Sequence, residues 1–261
     1  MARGTDTDTD TGGFTPREMM AAAAARELVD GQVVFVGIGL PNLACNLARR
    51  LQAPDLLLIY ESGAVGAVPE RLPVSIGDPA LVTNSLGVAS MTEIFYYYLQ
   101  GGRIDVGFLQ GAQIDRFGNL NTTVIGDYAE PRVRLPGSGG ACEIALHAGE
   151  ILLLAEQSPK VFSERLDFRT SPGHLDRGDA RRRAGFPGGG PRRLITDLAS
   201  YDFIDGEMTL VGLHPGSTIE RVRESLGWEV RLATDLATTP PPTEEELHLL
   251  REVLDPGRLY L

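Results

Sequence analysis

Apolar positions along the chain fall into short runs punctuated by glycine, proline and polar clusters. The first run, Gln32-Val33-Val34-Phe35-Val36, is β-branched and apolar almost throughout, the pattern of a buried strand. Gly37-Ile38-Gly39-Leu40-Pro41 breaks it, and the spacing predicts a helix from Pro41 to Leu51. Leu56-Leu57-Leu58-Ile59-Tyr60 predicts a second strand. Strand, helix, strand in that order is a βαβ unit, which implies a parallel sheet.

Later segments continue the alternation. A helix is predicted over Met91–Leu99, a strand over Val106–Leu109 and a strand starting at Leu120, and Ile151–Ala155 is a further apolar run. Arg193–Thr196, Tyr201–Ile204 and Met208–Val211 read as short strands near the end of the sheet. The stretch from Gly173 to Pro191 is rich in Gly, Arg and Pro and reads as a long loop.

Two helix starts carry capping-box chemistry. Thr15 with Glu18 precedes an Ala-rich run that ends before Gly31, and Thr243 with Glu246 opens a final helix reaching Leu254. Residues 1–13 alternate Thr, Asp and Gly without an apolar anchor and read as a disordered tail. No internal repeat or clean linker follows, so residues 14–261 are expected to form one α/β domain, an open, mostly parallel sheet flanked by helices.

Composition narrows the function. The chain has 261 residues, 43% of them hydrophobic and 23% charged, enough to bury a core without disulfide staples. No apolar run approaches the roughly 20 residues that span a bilayer, and the start lacks the apolar stretch of a secretory signal, so no membrane association is expected. Net charge is −11, from 24 Lys and Arg against 35 Asp and Glu, which disfavours a nucleic-acid partner but allows a local positive pocket. Cys45 and Cys142 form no CxxC pair, and His147, His174, His214 and His248 lack metal-ligand spacing. Reduced thiols in a cytoplasmic protein without a metal site are the expectation.

Four constellations bear on chemistry. Gly37-x-Gly39 follows the first strand and either admits a phosphate at a helix N-terminus, opens a dinucleotide fingerprint with Glu61 as ribose ligand, or is simply a tight turn. Asn42 and Pro41 depart from the dinucleotide pattern. Glu61-Ser62-Gly63 puts a carboxylate at the carboxyl end of a parallel strand, where open α/β sheets bind ligands, and Gly63 permits close approach. Such a carboxylate is a base, a ribose ligand, a nucleophile or a solvated loop residue. The run Gly111 to Asn121, with Gln113, Asp115 and Asn119, either fixes a hairpin through local side-chain bonds or lines a site. Pro136-Gly137-Ser138-Gly139-Gly140-Ala141 frees backbone N–H groups just before a predicted helix, an arrangement suited to an anion or oxyanion and otherwise a flexible loop.

Taken together, GQVVFVGIGLP at 31–41, APDLLLIYESG at 53–63, GAQIDRFGNLNTTVIGDY at 111–128, LPGSGGA at 135–141, TSPGHLD at 170–176 and LLREVLDPG at 249–257 resemble the β subunit of class I CoA-transferases, most closely the glutaconate type. ESG, GAQIDxxGN and GSGGA in this order are specific, whereas ESG alone is not. The resemblance implies the open α/β fold shared with sugar-phosphate isomerases, an obligate α-subunit partner, and acyl-CoA and carboxylic acid substrates. Coenzyme A is then a substrate and no cofactor is permanently bound. The resemblance also implies that Glu61 is the nucleophile and that Gly139 and Gly140 line the site near the thioester. Ser62, Gly63, Gln113 and Ser138 are further candidates for its lining.

A nucleophilic carboxylate predicts ping-pong transfer through a glutamyl anhydride and a glutamyl-CoA thioester. The acids stay open among glutaconate, 3-oxoadipate, other dicarboxylates and short fatty acids, with the glutaconate likeness favouring a dicarboxylate. The same superfamily holds ring-cleaving CoA-ester hydrolases and decarboxylases, which lack the ESG glutamate in the corresponding chain; Glu61 favours transfer. Sugar-phosphate-sensing domains of transcription regulators share the fold but carry a DNA-binding helix-turn-helix, absent from this acidic sequence.

Overall fold

The computed structural model describes residues 13–261; the predicted tail, apart from Gly13, lies outside the described residues. Among the described residues fourteen strands follow in chain order. They are β1 (Val33–Phe35), β2 (Leu57–Ile59), β3 (Ala64–Val65), β4 (Gly87–Val88), β5 (Val106–Leu109), β6 (Gln113–Ile114) and β7 (Leu120–Asn121). After these come β8 (Val124–Gly126), β9 (Pro131–Arg134), β10 (Glu150–Ala155), β11 (Pro191–Thr196), β12 (Ala199–Ile204), β13 (Glu207–Leu213) and β14 (Arg231–Thr238). The α-helices are α1 (Pro16–Ala25), α2 (Leu40–Arg50), α3 (Ala141–His147), α4 (Ala180–Arg183), α5 (Ile219–Glu224) and α6 (Glu244–His248).

Ten strands make one sheet in the order β14-β13-β12-β11-β10-β5-β1-β2-β3-β4. The centre, from β11 through β10, β5 and β1 to β2, is parallel, with Val34 opposite both Leu58 and Val106. Hairpins flank this centre on both sides, and β14 rejoins parallel to β13. Every residue of β5 is buried, as a strand covered on both faces requires.

The strand period of two divides the core. Leu152 and Leu154 pack with α1 and α2 on one face, while Ile151 and Leu153 pack with α3 on the other. Ala21 to Ala25 are all buried, so the predicted Ala-rich helix is narrow enough to lie close against its neighbours. Its capping box forms as read, and Glu18 also accepts from Arg251 near the C-terminus. The Thr243–Glu246 box is matched in the same way by Arg26 just past α1. The two capping glutamates thereby tie the ends of the chain together.

Three elements depart from the expected pattern. The helix expected over Met91–Leu99 is a widened π-type turn at Glu93–Leu99, closed by Gln100 N–H to Phe95 C=O at 2.8 Å. The last helix widens likewise over Leu249–Leu254. Strand β14 escapes a hydrophobic reading because most of its residues are exposed at the sheet edge. The predicted 173–191 loop is a loop except for the single turn of α4 and Pro191, which opens β11. Cys45 and Cys142 are free thiols, and among the described residues no helix is long and apolar enough to cross a membrane.

Candidate active site

Strand β2 delivers Tyr60 into the core and Glu61 out of it. Tyr60 is fully buried, its hydroxyl 2.6 Å from the Asn42 side-chain amide on α2. Asn42 occupies the place of the third glycine in a dinucleotide fingerprint, and its amide is used to anchor this strand end. The turn closes through Gly63 N–H to Tyr60 C=O and Tyr60 N–H to Ala64 C=O, at 2.9 and 3.0 Å. Gly63 has φ +110°, and a Cβ there would lie 2.1 Å from the Ala89 carbonyl oxygen, so only glycine fits. Glu61 and Ser62 stand at the apex, Glu61 half-buried and Ser62 exposed.

The opposite wall is the Gly-rich loop before α3. Thr122 pins it twice: its C=O accepts from Gly137 N–H at 2.9 Å, and its hydroxyl donates to Gly137 C=O at 2.8 Å. Ala141 N–H returns to Ser138 C=O, leaving Gly139 and Gly140 as the bend. Among the described residues, neither the Gly139 nor the Gly140 N–H has a protein acceptor. Gly139 is exposed, with open space beside it, and Ser138 is exposed. Gly140 is buried, and a Cβ there would lie 3.2 Å from Glu61 Oε1 and 2.4 Å from the Phe95 ring.

The fold therefore brings Glu61 and Gly140, 79 positions apart in the chain, to the same point. Phe95 forms the floor, its ring tilted against Phe35 at 5.8 Å between centroids. Nothing in the Phe95-Tyr96-Tyr97-Tyr98 run marks Phe95 in the sequence; the π-type turn selects it. No cation among the described residues pairs with Glu61. A carboxylate beside unengaged backbone donors can attack an electrophilic carbonyl while those donors receive the developing oxyanion.

A cleft of about 360 Å³, which Glu61 and Gly140 do not line, is formed by Ile38, Gly39, Leu40, Gln110, Gly111 and Ala155 among others. These residues follow the carboxyl ends of β1, β5 and β10, where the direction of strand succession reverses, the usual ligand crevice of open α/β sheets. Val36 N–H to Ile59 C=O, at 3.0 Å, joins the strand end entering this cleft to the one carrying Glu61.

Gln113 lies in a different environment. Its amide donates to Asp167 Oδ2 and accepts from Asn121 and from Asp167 N–H, all within 3.1 Å, in the buried β6–β7 hairpin. Asp115 and Asn119 close that hairpin. Burial pushes the Asp115 carboxyl up, against the opposing Asn119 and Phe117 hydrogen bonds. Asn119 then holds the 170–176 segment through Gly173 N–H and Leu175 C=O, both at 2.8 Å. Two of the sequence motifs are thus one structural knot. Among the described residues no cluster of three or more His, Cys, Asp or Glu side chains could hold a metal ion.

Comparison with known proteins identifies the family. Residues 17–225 match the family described as Coenzyme A transferase. The chain is 54% identical to the B-type subunit of 3-oxoadipate CoA-transferase from Pseudomonas knackmussii, covering 91% of this chain and 92% of that one. It is 35% identical to the B-type subunit of glutaconate CoA-transferase from Acidaminococcus fermentans, covering 95% of each. The crystal structure of the Acidaminococcus fermentans enzyme superposes with a TM-score of 0.89 at 33% identity, over 95% of this chain and 97% of that one. By family match, by identity across nearly its whole described length and by fold, this chain belongs to the coenzyme A transferase family.

Proposed function

We propose that this chain is the β subunit of a CoA-transferase that moves coenzyme A from an acyl-CoA to a dicarboxylic acid, with Glu61 as the nucleophile. The observation that carries the reading is the Glu61 carboxylate set against Gly140, beside backbone N–H groups without a protein acceptor. Glu61 attacks the thioester carbonyl; the C–S bond breaks and CoA leaves as thiolate, giving an acyl–glutamyl anhydride. The thiolate attacks the Glu61 carbonyl of that anhydride, the donor acid departs as carboxylate, and a Glu61–CoA thioester remains. The acceptor carboxylate attacks this thioester and expels the thiolate, which then attacks the acceptor's carbonyl. Acyl-CoA leaves and the Glu61 carboxylate is restored. Gly139 and Gly140 N–H groups stabilise the oxyanions, and the remote parts of coenzyme A supply binding energy.

A dicarboxylate is favoured because both relatives described above are named for one, and the higher identity favours 3-oxoadipate over glutaconate. A partner α subunit is favoured because those relatives are named as subunits, and by the surface beside Glu61. From Pro79 to Thr92 the chain has no charged residue, and Val82, Leu86, Val88 and Met91 are exposed there, around the terminal strand β4. An apolar surface of this kind marks an interaction site. Ser62, Gly63 and Ser138 complete the rim of the site.

The test is a transfer assay of the co-expressed αβ pair with 3-oxoadipate and glutaconate as acceptors. The complex is expected to transfer, the β chain alone to be inactive, and the Glu61→Gln complex to assemble without activity. Hydrolytic opening of a cyclic CoA ester, with no transfer of CoA to either acid, would instead indicate the chemistry of the relatives named as ring-cleaving hydrolases.

A further inference from the structure

The Gly- and Arg-rich stretch between Gly173 and Pro191 is built around one side chain. Arg181 is 4% exposed, and among the described residues no carboxylate pairs with its guanidinium. All five of its N–H donors go to backbone carbonyls instead. Nε donates to Gly188 at 2.7 Å, Nη1 to Gly173 at 3.0 Å and Pro172 at 3.4 Å, and Nη2 to Ala145 at 2.5 Å and Leu146 at 3.2 Å. Burial lowers its pKa to about 10, so it stays charged at neutral pH.

The last two acceptors sit in the final turn of α3, where helix carbonyls have no partner of their own and a cation is favoured. Gly188 N–H also returns to Leu146 C=O at 2.8 Å. The glycines of this stretch follow from the same packing: a Cβ on Gly188 would lie 2.2 Å from Ala148 O, and one on Gly190, which has φ +82°, would lie 3.0 Å from Arg181 Cδ. At its other end α3 is capped by Gly140, where a Cβ would lie 3.2 Å from Glu61 Oε1. The helix has seven residues, a span of about 10 Å, so tilting one end moves the other.

We propose that Arg181 is a positioning residue for the transfer reaction: by clamping the C-terminal turn of α3 it holds the Gly139–Gly140 donors in register with the Glu61 carboxylate. This rests on the function proposed above. A displacement of about 1 Å at a reacting centre costs about 10²-fold in rate. Lysine at 181 keeps the charge but, as a compact ammonium, cannot span five carbonyls.

The experiment uses the αβ complex with wild-type, Arg181→Lys and Arg181→Gln chains. For each, the Glu61–CoA thioester formed per chain is titrated, and kcat per titrated site, KM for acyl-CoA and Tm are measured. The expected result is a kcat per site lowered by about 10²-fold in Arg181→Gln, a smaller loss in Arg181→Lys, and KM within about threefold of wild type. A purely structural role would lower Tm and the titratable fraction while leaving kcat per titrated site unchanged, and that result overturns the proposal. Should Arg181→Gln not fold, Arg181→Lys decides between the two outcomes. A wild-type complex that forms no thioester at Glu61 fails differently: it overturns the nucleophile assignment, and the positioning role with it.

Discussion

A Cβ placed on Gly140 would lie 3.2 Å from Glu61 Oε1. The two residues come from separate crossover units of the sheet, yet the missing side chain of one makes the room in which the other works. The backbone of Gly140 is at φ −81°, a conformation open to any residue, so steric access rather than torsional freedom explains glycine here. At Gly63 the case differs, because both its positive φ and the Ala89 carbonyl demand glycine.

Gly140→Val is accordingly expected to cost far more turnover than stability. The new side chain displaces the Phe95 ring and crowds the carboxylate, without straining the backbone. Loss of one oxyanion donor costs about 10²–10³ in turnover, and a fall of that order is expected in kcat. Measuring kcat and Tm on one purified variant complex decides it; a large drop in Tm with a proportionate loss of activity would reduce the loop to a structural turn.

Asn119→Ala is expected to act in the opposite sense. Its side chain joins Asp115 to the 173–175 backbone, so truncation leaves buried polar groups unpaired. A loss of about 2–4 kcal/mol is expected in chemical unfolding, with kcat per folded complex little changed. A large fall in kcat at unchanged stability would move this motif from the scaffold into the chemistry.

Much of this arrangement was legible in the sequence, for particular reasons. Val33 to Val36, Leu56 to Tyr60 and Val106 to Leu109 read as strands because both faces are buried, and both capping boxes form because their bonds are local. Glu61 stood out as a candidate because a carboxylate predicted at a strand end, two residues before a glycine, is a local pattern. What stayed hidden depends on contacts distant in sequence. Phe95 gains its place from a π-type turn, Arg181 from carbonyls of three segments, and β14 from pairing at an exposed edge. Gln113 reads equally well as a site residue or a hairpin residue, and only the position of Asp167 shows where its amide is engaged.

His214 gives a pH signature unrelated to activity. It is 3% exposed; burial lowers its pKa from 6.5 to about 4, partly opposed by its hydrogen bond with the Thr196 carbonyl. The folded state thus binds the proton less readily than the unfolded chain. The sign follows: this contribution to stability is fully present above about pH 6.5, declines as pH falls, and is gone below about pH 4. Unfolding free energy measured across this window is expected to fall more steeply for the wild type than for His214→Gln. Parallel curves for the two proteins would contradict the assignment.

The central claim, that Glu61 carries the acyl and CoA groups in turn, is tested most directly by trapping. The αβ complex is incubated with acyl-CoA without acceptor, reduced with borohydride, digested and mapped by mass spectrometry. Borohydride cleaves a glutamyl-CoA thioester to an alcohol and frees the thiol, so the modified peptide identifies the nucleophile. The account predicts acyl-CoA-dependent reduction confined to the peptide containing Glu61 and absent from Glu61→Gln. An unmodified Glu61 peptide from a complex that turns over fully, or full activity in Glu61→Gln, would contradict it.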